Sequence, residues 1–178
     1  MPLNASKDVM SRAEKIRLLI CDIDGVMTDG RLYFLGDGTE FKSFHARDGH
    51  GIKLLRQSGV ETAVISGRNS PAVQKRMDSL GVKYVYQGFE NKREPYAELL
   101  STLMLTPEQT AFIGDDVLDL PIMRQVGLAI AVSDAHFSLH DHSHWVTHQK
   151  GGMGAVREVC DLIMNAQDTL KAIIESYY

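Results

Sequence analysis

The chain has little cysteine, no long apolar run and no excess of positive charge. Its two cysteines, Cys21 and Cys160, are too few for a disulfide framework. Each lies in an apolar pattern, so both read as reduced core residues. No apolar stretch approaches the roughly 20 residues that cross a bilayer. The N-terminal residues, M-P-L-N-A-S-K-D-V-M, lack the apolar core of a secretory signal. The expected location is therefore the cytoplasm. Lys and Arg number 19 against 23 Asp and Glu, a net charge of -4. Phosphate backbones are bound by clustered cations, so nucleic acid is not an expected partner, and neither is a membrane. There is no internal repeat, low-complexity tract or linker. At 178 residues the expectation is one domain, 1–178, with a substantial core.

What is present is an alternation of short apolar runs and helical patterns. Ser6 caps a short helix reaching Lys15. Strands are expected at Arg17–Cys21, Glu61–Ile65, Lys83–Tyr86, Gln109–Ile113, Leu128–Val132 and near Trp145-Val146. Helices are expected at Arg47–Ser58, Pro71–Leu80, Lys92–Leu103, Val117–Val126 and from Gly154 to about Ala172. Two β-rich runs around Gly36-Asp37-Gly38 make 31–44 a β-hairpin insertion. Such alternation implies an α/β fold: a Rossmann-like parallel sheet with helices on both faces.

In a parallel sheet the strands end on one edge, where ligands bind. Asp22 and Asp24 follow the first strand, Ser66 follows the second and Lys92 comes after the third. Asp115 and Asp116 follow the fourth. Each has a plainer reading alone: a turn serine, a solvated lysine, or aspartates that cap a helix. Together they make a different case. Several carboxylates brought close repel one another unless a cation neutralises them. Hard oxygen donors favour Mg²⁺, often beside a phosphate. A serine and a lysine at the same edge suit phosphoryl oxygens. The residues therefore suggest Mg²⁺-dependent chemistry on a phosphorylated substrate.

The order D-I-D-G-V-M-T-D-G, I-S-G-R, Lys92 and I-G-D-D-V-L-D resembles the four-part signature of the haloacid dehalogenase superfamily. F-H-A-R-D-G-H-G-I-K at 44–53 and G-G-M-G-A-V-R-E at 151–158 are similar to the capless sugar-acid phosphatases within it. The resemblance implies a haloacid dehalogenase-like fold with no cap domain, in which 151–178 forms a glycine-rich segment and a C-terminal helix. It implies a phosphatase that releases 3-deoxy-D-manno-octulosonate from its 8-phosphate, for the inner core of lipopolysaccharide. It makes Asp22 the nucleophile and Asp24 the acid and base. Ser66 and Lys92 would grip the phosphoryl group. Mg²⁺ would bind Asp22, the Asp24 carbonyl and Asp115, with Asp116 beside the substrate and Asp119 in support. For the sugar acid it points to His45, Ala46, Arg47, Asp48, Gly49, Lys53, Arg68 and Arg76, with Arg157 as a further cation from the tail. It also implies a homotetramer built through the hairpins. Leu32, Phe34, Phe41 and Phe44 support that independently, because an apolar hairpin leaves an edge for another chain to cover. Two alternatives stay open: the same chemistry on another sugar phosphate, such as a nonulosonate 9-phosphate, or a catalytically silent oligomerising module. The histidines at 136, 140, 142, 144 and 148 are not read as a zinc site, since no cysteine or firm helical spacing accompanies them.

Overall fold

The computed structural model describes residues 5–178. The opening helix α1 (Lys7–Ala13) starts where Ser6 Oγ accepts the Val9 N–H. Strand β1 (Leu18–Cys21) follows, and its four residues are all buried. Their side chains alternate between two cores, as a pleated strand requires. Leu19 and Cys21 join one cluster, and Leu18 and Ile20 join the other. Each such fully buried aliphatic side chain contributes about 1.5–3 kcal/mol relative to exposure.

The chain next forms the hairpin β2 (Tyr33–Phe34) and β3 (Glu40–Phe41), whose Tyr33 and Phe41 rings stack. Helix α2 (Ala46–Gln57), β4 (Glu61–Ser66) and α3 (Pro71–Leu80) follow, and α3 ends at Gly81 in the left-handed conformation. Then come β5 (Tyr84–Gln87), α4 (Arg93–Leu103), β6 (Thr110–Gly114), α5 (Leu120–Met123), β7 (Leu128–Ala131) and β8 (Trp145–Val146). Helices α6 (Ala155–Ala166) and α7 (Leu170–Glu175) close the chain.

The sheet order is β5-β4-β1-β6-β7-β8, and every neighbouring pair is parallel. From β1 the chain winds outward through β4 and β5, then returns to the centre at β6 and winds the other way. The reversal lies between β1 and β6, and Asp22 and Asp115 follow those two strands. Side chains of α1, α2, α3 and α6 pack on one face, while those of α4 and α5 cover the other.

Two expected helices are broken. The stretch from Val117 is a 3₁₀ turn (Val117–Asp119) before α5 begins, with Pro121 in the first turn of that helix. The final helix stops at Ala166. Asp168 takes a positive φ of 56°, and the Gln167 side-chain amide donates to the Ile16 carbonyl at 2.8 Å. Its apolar period ran through this bend.

Candidate active site

Asp22 is 6% exposed. Its Oδ1 accepts from Lys92 Nζ at 2.5 Å, and the same ammonium donates to Asp119 Oδ1 at 2.6 Å. Lys92 reaches them because α4 begins directly after it, which fixes its backbone at the sheet edge. Asp119 Oδ2 accepts the N–H of Asp115 at 2.9 Å and of Asp116 at 3.3 Å. Asp119 therefore shapes the loop after β6 and anchors Lys92 in one move.

Asp22, Asp115 and Asp119 each bring a carboxylate oxygen within 4.8 Å of the others. Burial, then the neighbouring carboxylates Asp22, Asp119 and Asp116, push Asp115 up to about 8. Burial, then Asp119, raises Asp22 above the ordinary carboxylate range against the pull of Lys92. Burial works against the charge of Lys92, but Asp22 and Asp119 outweigh it and raise its pKa. One ammonium thus serves a site with more negative charge than it can offset. Both oxygens of Asp119 are already engaged, so the donor set open to a divalent cation is Asp22 and Asp115. That set is hard, anionic and oxygen-only, which suits Mg²⁺.

Two glycine contacts close the site. Gly25 has φ +96°, and a Cβ on it would fall 2.0 Å from Asp115 Oδ2. The glycine after Asp24 thus lets the carboxylate from β6 approach the loop from β1. On the far side, Gly152 N–H donates to the Val26 carbonyl at 2.8 Å. The Gly151–Gly152 segment therefore packs on the backbone of the Asp22–Asp24 loop. Thr28 ties that loop to itself: its hydroxyl donates to the Ile23 carbonyl at 3.3 Å and accepts the Gly30 N–H at 3.3 Å.

Asp24 faces the hairpin. Its Oδ1 is ion-paired with Lys42, and its Oδ2 lies 3.7 Å from Arg68 Nε. Arg68 also donates to Glu40 at 2.8 Å. Ser66 is buried at the end of β4, with its Oγ accepting the Arg68 N–H at 3.3 Å. Asp116 is exposed, and its Oδ1 accepts the Val117 N–H.

The remaining expected residues gather elsewhere. Ala46, Gly49, Lys53 and Arg76 line a pocket of about 470 Å³ with Phe44, His50 and Leu80, and none of the catalytic candidates lines it. Gly49 is needed there, since a Cβ would fall 2.1 Å from Arg76 Nη2. His45 precedes α2, and its Nδ1 is buried without a hydrogen-bond partner among the described residues. Arg47 is exposed. Asp48 is turned inward: it is 1% exposed, and its Oδ1 accepts the Arg157 N–H at 2.8 Å, which joins α2 to α6. Burial raises its pKa. The Arg157 guanidinium, expected as a cation for substrate, is paired with Asp161 at 2.8 Å. Lys42 and Glu40 were not anticipated in the site. In sequence, E-F-K on a hairpin arm looks like solvated edge charge.

The chain belongs to the haloacid dehalogenase-like hydrolases. The family described as haloacid dehalogenase-like hydrolase matches residues 46–127. Within that class, the 3-deoxy-D-manno-octulosonate 8-phosphate phosphatase KdsC of Yersinia pestis is 53% identical over 92% of this chain and 88% of its own length. The crystal structure of that Yersinia pestis phosphatase superimposes with a TM-score of 0.92 over 93% of this chain and 89% of the other. The phosphatase of Moraxella catarrhalis, solved with magnesium, phosphate and KDO, is 36% identical. It covers 96% of this chain and 98% of its own, with a TM-score of 0.94.

Proposed function

We propose that the protein hydrolyses 3-deoxy-D-manno-octulosonate 8-phosphate to 3-deoxy-D-manno-octulosonate and phosphate, with Mg²⁺ as cofactor. The observation that carries the reading is the buried Asp22 at the chain reversal between β1 and β6, oriented by Lys92 and facing Asp115. The likeness to KdsC over nearly the whole chain supports the substrate.

In this reading an Asp22 oxygen attacks phosphorus, and the bond from phosphorus to the sugar oxygen breaks. Asp24 gives that oxygen a proton as it leaves. Asp24 then takes a proton from a water molecule as the water attacks the aspartyl phosphate. Phosphate departs and the Asp22 carboxylate is restored. Lys92 and Ser66 hold the equatorial oxygens, where fixed donors act most strongly in a water-poor site. Asp22, the Asp24 carbonyl and Asp115 would hold Mg²⁺. When bound, the ion screens the phosphoryl charge from the attacking carboxylate. Arg68, beside Asp24, and the exposed Asp116 would contact the sugar. The cations Lys53 and Arg76, beside Ala46 and Gly49 in the pocket, suit the carboxylate end of a sugar acid.

The same reading makes the protein a cytoplasmic homotetramer. Its support is the hairpin surface, where Leu32, Phe34, Leu35 and Phe41 are all exposed. A two-stranded hairpin with such a face is marginal alone and buries it best against other copies. Light scattering should report four chains for the wild type and a lower mass for Phe34→Ser with Phe41→Ser. A monomeric wild type would remove the tetramer.

Phosphate release over a panel of sugar phosphates, with Mg²⁺ and with EDTA, tests the activity. Turnover should be strongest on the eight-carbon sugar acid and lost in EDTA. Preference for a nine-carbon acid would reassign the substrate, and no turnover on any member would favour a silent module.

A further inference from the structure

Three charged side chains close a ring with Asp24. Lys42 pairs with Asp24 Oδ1, Arg68 Nε lies 3.7 Å from Oδ2, and Glu40 lies 3.4 Å from Lys42 Nζ and 2.8 Å from Arg68 Nη2. Lys42 and Glu40 come from the hairpin arm, while Arg68 comes from the loop after β4. Side-chain exposure of Lys42 is only 2%, against 46% for Arg68. Burying a cation is costly unless carboxylates pair with it, and Lys42 lies between Asp24 and Glu40.

The two oxygens of Asp24 are held differently. Oδ1 is fixed by Lys42, whereas Oδ2 is buried with no hydrogen-bond partner among the described residues. An acid–base group must be held in place to be effective, since a misplacement of about 1 Å costs about 10² in rate.

We infer that Lys42 is a positioning residue for the reaction: by pairing with Asp24 Oδ1 it fixes the orientation of the Asp24 carboxylate for proton transfer, and so makes the hairpin part of the catalytic apparatus. The inference rests on the assignment of Asp24 as acid and base. Its consequence is that whatever seats the hairpin also sets turnover. With its side chain 2% exposed, Lys42 acts through Asp24, so its loss should lower kcat and leave KM alone.

The test uses full-length Lys42→Met, Lys42→Gln and Lys42→Arg, assayed for phosphate release at saturating Mg²⁺. Light scattering and thermal unfolding establish that each is folded. Lys42→Met should lower kcat about 10²-fold with KM within about threefold. Lys42→Arg should recover at least tenfold of that loss, because it restores a cation to Asp24. Lys42→Gln keeps the length of the side chain without its charge and serves if the methionine variant does not fold. It should match the methionine variant. A rise in KM at unchanged kcat would make Lys42 a substrate contact and overturn the inference, as would wild-type kcat in the uncharged variants. Asp24→Asn separates the two levels. An inactive Asp24→Asn beside a fully active Lys42→Met overturns the role of Lys42 alone. An active Asp24→Asn overturns the acid–base assignment and the inference with it.

Discussion

A Cβ placed on Gly151 would lie 1.6 Å from the carbonyl oxygen of Gly25. The segment before α6 is therefore pressed backbone to backbone against the loop that carries Asp22 and Asp24. Nothing at that contact can give except the main chain. Gly151→Ala should displace the loop and lower kcat at least tenfold, since shifts approaching 1 Å cost about 10² in rate. Gly36→Ala is the control, because a Cβ there meets no atom of the described residues within 4 Å. Steady-state kinetics of the two variants check the claim. Equal activities would mean that the glycine segment does not brace the catalytic loop.

Asp119 joins Lys92 to the backbone after β6, and both side chains are almost fully buried. Asp119→Ala leaves an ammonium with one carboxylate fewer and two N–H groups without an acceptor. Stability should fall by about 3–5 kcal/mol, the range for breaking a buried pair. Asp119→Asn keeps an acceptor for the N–H groups and should lose less. Urea unfolding of both variants measures the difference. An alanine variant as stable as wild type would show that Asp22 alone suffices to hold Lys92.

The raised pKa values of Asp22 and Asp115 predict how metal binding depends on pH. In the metal-free fold Asp115 holds its proton up to about pH 8, whereas an unfolded aspartate releases it near 3.8. Asp22 is shifted in the same direction. Between those limits the folded state binds more protons than the unfolded chain, so these groups make the metal-free protein less stable as pH rises. A divalent cation must displace the same protons. Its affinity should therefore weaken as pH falls below about 8, by up to about tenfold per pH unit for each proton displaced. Calorimetric titration of metal-stripped protein with MgCl₂ at pH 6, 7 and 8 checks this. Equal affinities at pH 6 and 8 would contradict the shifted carboxylates.

The sheet and its reactive edge were legible because they rest on local patterns. An apolar run ending in Asp-x-Asp-Gly places a carboxylate at a strand end whatever the rest of the chain does. The same holds for Ser66 and for Asp115. Ser6 and Gly81 likewise mark helix ends through backbone chemistry that involves only a few neighbouring residues. Long-range placement was less accessible. Lys42 is 18 residues from Asp24 and reaches it only because the hairpin folds back. Asp48 sits among residues expected to meet substrate, yet its partner is a backbone N–H 109 residues away. The helix break at Asp168 depends on Gln167 reaching the Ile16 carbonyl, a contact that hydrophobic periodicity cannot register. The packing of the glycine-rich segment on Gly25 and Val26 is a further long-range contact, backbone to backbone, that the local pattern G-G-M-G does not reveal.

In the proposed reaction the Asp22 carboxylate receives the phosphoryl group. Phosphate release by Asp22→Asn, at saturating 3-deoxy-D-manno-octulosonate 8-phosphate and Mg²⁺, tests it most directly. An amide cannot replace the attacking carboxylate, so turnover should fall by at least about 10³-fold while the mass of the assembly is unchanged. Turnover within tenfold of wild type, from a preparation free of contaminating phosphatase, would contradict the account.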